Sequence, residues 1–398
     1  MFRGSRFSDR YIDISFLIIS LLGIVMIGSA SVDSSGAWLS AIVNIGKQML
    51  FIATGLGLMN FIRRKFSRRW VGLYFIRVAY VIIMVMMLLC LAFPEVNGAQ
   101  AWIRIGGLMT LQPSEFAKIL CIILLAYYFS EVPNAMKISN QLSRHVQEEL
   151  QKRKFAKAII EPLGLCFLLI FICLFLQRDL GTSVIILAIC LVCFFCANHS
   201  YYKLYQKQFW ILCLGFAGLV VIAAPIAMSI LKDYQKARIT SWLNPLNPQF
   251  VLNQSYQLVN GMIAFTNGGL LGLGLGNSTQ KFGYIPEAYN DFITAIIYEE
   301  LGIIGLLLII VPFTVIIKRL FDYAFKIEDS FSKITLIGIA TYFFMHLFLN
   351  LGGVSGLIPM TGVPLLCVSA GGSSTWSAFC AIGIAQSIIK RYNKSQAS

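Results

Sequence analysis

Ten long apolar runs constrain this chain more than any other feature, because each is close to the length of a helix that crosses a lipid bilayer. Such a helix needs about 20 residues for a hydrocarbon core of roughly 30 Å, and irregular backbone is not stable where it faces lipid. We therefore predict an all-α, polytopic integral membrane protein with ten transmembrane helices in a single domain, 1–398. The predicted spans are 11–31, 43–62, 70–92, 114–131, 159–176, 181–198, 209–231, 294–317, 334–351 and 374–390.

The composition supports one membrane domain and argues against a nucleic-acid-binding protein. Hydrophobic residues make up 58% of the 398 residues and charged residues only 13%, against about 25% charged in soluble domains. The net charge of +14 comes from basic clusters between the apolar runs, which is typical of topology signals. The pattern Cys193-x-x-Cys196-x-x-His199 lies in or at the end of an apolar run, so it indicates buried small side chains, and no metal ligand is predicted.

The basic clusters also predict the orientation of the chain in its membrane. They alternate with loops that hold few basic residues, and the positive-inside rule assigns the clusters to the cytoplasm. Both termini are then cytoplasmic, which requires an even number of helices. The rule also gives a cytoplasmic loop at 132–158 and a large extracellular loop at 232–291 before the eighth helix. Within the first of these, 141–150 is either a surface helix at the lipid headgroups or a solvated connector.

The first outward segment combines glycine pairs with an ionisable pair. Glu115 and Lys118 are three residues apart at the start of the fourth span, so they fall on one side of that helix. Two interpretations stay open. The pair neutralises itself and locks the bundle, or it supplies an acid and a base to a polar cavity, since charged groups inside a membrane are costly and often functional.

Two further outward segments contain candidate carboxylates. Asp179 lies between two closely spaced spans, where it caps the following helix or binds substrate. The 232–291 loop is long for a structureless connection, and such loops are usually functional. It ends at Asp291, beside Phe292 and at the entry of an apolar helix, where a carboxylate is either a general base or a partner of the helix dipole.

Read in order, the outward motifs resemble the SEDS family (shape, elongation, division and sporulation), whose members include RodA and FtsW. The match covers most of the chain, and the combination is far more specific than any one motif. The matching motifs are Gly98-Ala99-Gln100-x-Trp102, Gln112-Pro113-Ser114-Glu115-x-Ala117-Lys118, Asp179-Leu180-Gly181-Thr182, Phe282-Gly283-Tyr284-Ile285-Pro286-Glu287-Ala288-x-Asn290-Asp291-Phe292-Ile293, Glu299-Glu300-Leu301-Gly302, Asn350-x-Gly352, Gly356-Leu357-Ile358-Pro359-x-Thr361-Gly362-Val363-Pro364-Leu365 and Gly371-Gly372-Ser373-Ser374.

The resemblance implies ten helices and a peptidoglycan glycosyltransferase that polymerises lipid II at the outer face of the membrane. Asp291 looks like the family's catalytic aspartate. The implied partners are a class B penicillin-binding transpeptidase and other division proteins. The candidate substrate-binding residues, taken from the motifs and from nearby cations, are Glu115, Lys118, Arg104, Gln112, Asp179, Lys281, Glu287 and Ser373.

The expected reaction is attack by a sugar hydroxyl on a lipid-linked sugar, with Asp291 as the base. Arg104, Lys118 and Lys281 are the candidates for stabilising the departing pyrophosphate, and a divalent cation, Mg²⁺ or Mn²⁺, is the one cofactor considered. Two alternatives stay open, a lipid II flippase and an elongation-type polymerase similar to RodA. The wording of the Asn290-Asp291 and Gly352-Gly353-Val354 motifs is nearer to FtsW, which favours a role at the division septum.

The sequence departs from the family pattern at two positions. Arg178 stands where the family usually has proline, and Ala370 where it usually has tyrosine before the glycine pair. Neither position is the proposed base, but both bear on the shape of the cavity around it.

Overall fold

The computed structural model is a bundle of long helices, described for residues 7–32, 38–96, 98–105, 109–135, 144–230, 239–253, 255–286 and 288–397. The helices are α1 (Arg10–Ala30), α2 (Trp38–Lys65), α3 (Leu73–Leu89), α4 (Pro113–Ala135), α5 (Arg144–Phe155), α6 (Glu161–Phe171), α7 (Leu180–Phe195), α8 (Ser200–Ile230), α9 (Pro248–Val251), α10 (Tyr256–Gly268), α11 (Ile293–Lys326), α12 (Ser330–Val354) and α13 (Gly372–Gln396).

Every predicted span coincides with a helix, and the protein is a polytopic helical membrane protein. Seven helical stretches in the described part of the chain are long and apolar enough to cross a membrane. One of them runs without a break from His145 to Leu176, through α5 and α6. Helix α7 is apolar but has only 16 residues. The count of ten crossings and the orientation in the membrane stay predictions.

Both predicted loops contain helix. In the predicted cytoplasmic loop 132–158, where a surface helix at 141–150 is one of two open interpretations, α5 begins at Arg144 and continues through a π-helical segment, Ala156–Ile160, into α6. Lys, Arg, Glu and Gln favour helix, and neither Gly nor Pro breaks the sequence between 144 and 160. The predicted extracellular loop 232–291 contains α9 and α10. Residues 136–143 and 231–238 of these loops lie outside the described part of the chain.

A two-stranded antiparallel hairpin departs from the predicted all-α class. Strand β1 (Ile103–Ile105) pairs with β2 (Met109–Leu111), with Arg104 opposite Thr110. The β-branched residues and the glycine pair between the strands are the usual signals for such a hairpin. The hairpin leads directly into α4.

The basic segments meet at one end of the bundle. Arg68, between α2 and α3, pairs with Glu131 at the end of α4 and with Asp329 at the start of α12. Near the C-terminus, Asn393 donates a hydrogen bond to the main-chain oxygen of Phe7, at 2.8 Å. The ends of the helices that carry the outward motifs therefore lie together at the opposite end.

An irregular segment, 358–371, lies between α12 and α13 and packs against the buried helices. A Cβ on Gly23 of α1 would lie 2.1 Å from the main-chain oxygen of Cys367 and 2.9 Å from the Cα of Val368. Helix α1 therefore approaches this segment more closely than any side chain allows.

The substitution Gly23→Ala is expected to lower the melting temperature of the purified protein in detergent, because the added methyl group must push α1 and Cys367 apart. Overpacking of this kind costs about 1–3 kcal/mol. The control is Gly46→Ala in α2, where a Cβ meets nothing within 4 Å and alanine is the better helix former. Equal melting temperatures for Gly23→Ala and the unsubstituted protein would contradict the close approach.

Candidate active site

Asp291 is half-buried and lies two residues before the start of α11. Its main-chain oxygen accepts a hydrogen bond from the buried side chain of Asn350. The Nδ2 of Asn350, near the end of α12, donates hydrogen bonds to the main-chain oxygens of Asp291 and Val363, both at 2.9 Å. The Oδ1 of Asn350 accepts a hydrogen bond from the Thr294 hydroxyl at 2.6 Å. Because Asn350 is only 2% exposed, these bonds tie the start of α11 to the segment 358–371.

The carboxylate of Asp291 lies at a small recess. Gly362 forms part of the wall with φ +66°, and a Cβ there would lie 3.6 Å from Oδ2 of Asp291. Glycine adopts this backbone conformation without strain, so the chain passes close to the carboxylate without a side chain to block it. The other lining residues are Leu349, Asn350, Gly353, Val354, Met360, Thr361 and Val363.

The sequence of the segment 358–371 explains why α12 does not continue through it. Pro359 and Pro364 lack the N–H that a helix needs. The ends of the segment are held by main-chain hydrogen bonds from Ile358 N to Gly352 O at 3.1 Å and from Ala370 N to Tyr289 O at 2.9 Å. The second bond joins the segment to the residues just before Asp291.

Gln112 joins three of the predicted site motifs. Its Nε2 donates to Oδ2 of Asp179 at 2.9 Å, and its main-chain N–H donates to the Ser373 hydroxyl at 2.8 Å. Asp179 also caps α7 by accepting from the main-chain N–H of Thr182 at 2.9 Å, which confirms the predicted cap. Gly181, in the first turn of α7, is so close to the segment 358–371 that a Cβ there would lie 2.5 Å from Cγ2 of Val363. These motifs therefore pack against the same segment as Asp291.

Glu115 and Lys118 form the predicted ion pair, with Lys118 Nζ 2.7 Å from Glu115 Oε1. Lys118 also lies 3.1 Å from Nε2 of His346, whose Nδ1 is 2.9 Å from the main-chain oxygen of Pro364. A carbonyl oxygen only accepts hydrogen bonds, so Nδ1 carries the proton and Nε2 accepts from the lysine. The ion pair is thereby linked through His346 to the segment 358–371.

The burial of this network bears on the two interpretations of the pair. Glu115 and Lys118 are each 1% exposed and His346 is 0% exposed. No substrate atom can contact these side chains in this conformation, because protein atoms surround them. The geometry favours the interpretation in which the pair locks α4 to α12, and any effect on substrate would pass through Pro364.

Lys281, a candidate for binding pyrophosphate, is also buried in an ion pair. Its Nζ lies 3.0 Å from Glu300 Oε1, and Lys281 is 6% exposed. The neighbouring Glu299 accepts hydrogen bonds from the Thr279 hydroxyl at 2.8 Å and from Asn267 Nδ2 at 3.0 Å. The Glu299-Glu300 motif thus holds the end of the large loop against α11.

The remaining candidates are not among the described residues that line the recess. Arg104 is exposed on the hairpin, which leaves its charge available at this end of the bundle. Glu287 lies outside the described residues. Arg178 adopts φ +56°, which a proline ring cannot adopt, so this turn differs from the one that the usual family residue would form. Its guanidinium pairs with Glu95 at 3.0 Å.

The sequence did not predict two features of the site, the hydrogen bonds of Asn350 and the position of His346 beside Lys118. Asn350 was noted only as a motif residue. A histidine within an apolar span is itself a signal, because ionisable residues in a membrane need a partner. Tyr342 and His346 are four positions apart, so both lie on one face of α12, and the centre of the Tyr342 ring lies 5.9 Å from Nζ of Lys118.

A family model described as cell cycle protein, FtsW/RodA/SpoVE, matches residues 9–394. The chain is 32% identical to the probable peptidoglycan glycosyltransferase FtsW of Lactococcus lactis, over 93% of this chain and 89% of that protein. It is also 32% identical to the stage V sporulation protein E of Bacillus subtilis, over 97% of this chain and 98% of that protein.

Solved structures with the same fold are similar over nearly the whole chain. One comes from work described as "Structural coordination of polymerization and crosslinking by a peptidoglycan synthase complex". That chain matches with a TM-score of 0.69 and 23% sequence identity, and the match covers 97% of this chain and 98% of that one. Another is the rod shape determining protein RodA of Thermus thermophilus, with TM-score 0.58, 21% identity and coverage of 96% and 97%.

The buried ion pair between Glu115 and Lys118 is expected to matter for the stability of the fold. Lys118→Met leaves the Glu115 carboxylate buried without its cation, and breaking a buried pair in this way costs about 3–5 kcal/mol. The double variant Lys118→Met with Glu115→Gln removes both charges and is expected to recover part of that loss. Thermal unfolding in detergent measures both. Additive losses in the double variant would show that the two charges do not interact.

Proposed function

This chain belongs to the FtsW/RodA/SpoVE family of cell cycle proteins, and we propose that it is a peptidoglycan glycosyltransferase that polymerises lipid II at the outer face of the plasma membrane. The observation that carries the proposal is the carboxylate of Asp291, which faces a recess beside Gly362. The names of the curated relatives, probable peptidoglycan glycosyltransferases from several bacteria, support the same activity.

In the proposed reaction, Asp291 is the general base. A hydroxyl of the acceptor sugar enters the recess and transfers its proton to the carboxylate, while its oxygen forms a bond to the anomeric carbon of the donor. The bond from that carbon to the pyrophosphate oxygen breaks, and undecaprenyl pyrophosphate leaves with the electron pair. A positioned base contributes about 10²–10⁴-fold in rate. The hydrogen bonds of Asn350 fix the main chain that carries this base.

The leaving pyrophosphate needs positive charge nearby. Of the three candidate cations, Lys118 and Lys281 are buried in ion pairs, whereas Arg104 is exposed at the hairpin. We therefore assign the pyrophosphate to Arg104. Its prenyl tail stays in the bilayer, so only the sugar and the pyrophosphate approach the protein's polar end.

In the described part of the chain, no group of three or more His, Cys, Asp or Glu side chains is arranged to hold a metal ion, and Asp291 is the one carboxylate that lines the recess. Mg²⁺ is often held by one or two carboxylates together with substrate phosphates. A divalent cation would therefore have to arrive with the pyrophosphate.

We propose a class B penicillin-binding transpeptidase as the partner and the division septum as the location. The support for the first is the structural similarity to a protein from a peptidoglycan synthase complex, and for the second the FtsW names of several relatives. A fluorescent fusion is expected at midcell in dividing cells. Uniform labelling of the side wall would indicate the elongation-type role instead.

Asp291→Asn is expected to lower glycan polymerisation from purified lipid II, in the presence of the transpeptidase, by about 10²–10⁴-fold. The amide has a similar shape but cannot accept the proton, so folding and partner binding are expected to survive. The matched control is Glu95→Gln, a carboxylate exposed at the same end of the bundle, which is expected to polymerise normally. Gel separation of labelled glycan strands measures the product.

Two outcomes would contradict the proposal. Equal polymer from Asp291→Asn and the unsubstituted protein would remove Asp291 as the base. Movement of labelled lipid II across vesicle membranes, with no polymer from any variant, would indicate a flippase.

A further inference from the structure

Thr361 lines the recess, and its hydroxyl is the one side-chain oxygen among the described lining residues that is buried without a hydrogen-bond partner. The residue itself is half-buried and forms part of the wall, next to Gly362. Asn350, the other amide or hydroxyl side chain in the wall, has both of its polar atoms occupied by Thr294, Asp291 and Val363. The wall of the recess therefore contains a threonine whose hydroxyl is shielded from water and has no partner.

A buried hydroxyl without a partner is unfavourable for the folded protein, since it has lost its hydrogen bonds to water. Most buried side-chain oxygens in native proteins are paired, and an exception calls for a physical reason. A substrate group would be such a reason, because rotation of the Thr361 side chain as substrate enters would turn its hydroxyl toward the recess. The hydroxyl is then unpaired in the free protein and paired in the complex.

The neighbouring groups indicate which part of the substrate supplies the partner. Asp291 and Gly362 flank the place where the attacking hydroxyl is expected, and Thr361 directly precedes Gly362 in the same wall. Adjacent carbons of a sugar ring each carry a polar substituent, so a sugar that presents one hydroxyl to Asp291 presents a second polar group a few ångströms away. A threonine hydroxyl can donate to or accept from such a group.

We propose that Thr361 is a substrate-orienting residue, which hydrogen-bonds the acceptor sugar at the substituent next to the attacking hydroxyl. The inference rests on the proposed glycosyl transfer and adds a residue that determines how the acceptor is held. A site built to pair with a polar substituent also discriminates against sugars that lack it, because its own hydroxyl is then left unpaired.

The test compares Thr361→Val, which keeps the shape and removes the hydroxyl, with Thr361→Ser, which keeps the hydroxyl. Thr361→Val is expected to lower the polymerisation rate at subsaturating lipid II by about tenfold, the effect of one hydrogen bond. Thr361→Ser is expected to stay within about threefold of the unsubstituted protein, since its hydroxyl remains.

Thermal unfolding separates substrate binding from a structural role. Thr361→Val is expected to melt at or above the temperature of the unsubstituted protein, because it removes a hydroxyl that has no partner in the free state. The control is Thr335→Val in α12, whose buried hydroxyl donates to the main-chain oxygen of Phe331 at 2.7 Å. That variant is expected to melt lower and to polymerise normally.

Three results would overturn the inference. They are full polymerisation by Thr361→Val, an equal loss of activity in Thr361→Ser, and a melting temperature of Thr361→Val clearly below that of the unsubstituted protein. If the unsubstituted protein itself makes no polymer under any condition, the glycosyltransferase proposal fails first. The two failures are therefore distinguishable.

Discussion

The side-chain amide of Asn350 holds two main-chain carbonyls together, those of Asp291 and Val363. The two residues are far apart in sequence. One ends the large loop before α11, and the other lies in the segment between α12 and α13. Because the amide is buried, water does not compete for these hydrogen bonds, and losing them would leave polar groups unpaired. The position of the carboxylate, the shape of the recess and the proposed chemistry all depend on this link.

The buried charges of the bundle, like the Asn350 amide, are held by hydrogen bonds and ion pairs to other buried groups. A charged side chain inside a membrane protein is stable only where other groups satisfy it. Lys118 is shared by Glu115 and His346, and Lys281 by Glu300 and the hydroxyl of Ser29. The first network ends at the carbonyl of Pro364, one residue beyond Val363. Lys118, which looks like a catalytic candidate in the sequence, thus helps to position the segment that lines the recess. Lys281 instead holds the end of the large loop against α11.

The sequence predicts the helices well, and each predicted span falls on a helix. A long apolar run in lipid forms a helix because its main-chain polar groups must hydrogen-bond to one another. It also identifies the Asp179 cap and the pairing of Glu115 with Lys118, since both are local and depend on spacing within one helix. The missed features are contacts between distant elements. The sequence does not show that Asn350 contacts Val363 or that His346 contacts Lys118. It also does not show that Lys281 is buried, because side-chain burial depends on how the helices pack.

Hydrogen–deuterium exchange of the Asn350→Ala variant tests the central link most directly. If one amide joins the two segments, its removal is predicted to raise exchange together in the peptides around 288–294 and 358–370, while the buried middle of α4 stays protected. Exchange that rises in only one of these segments, or in neither, would contradict the account, because Asp291 would then be held in place by something other than Asn350.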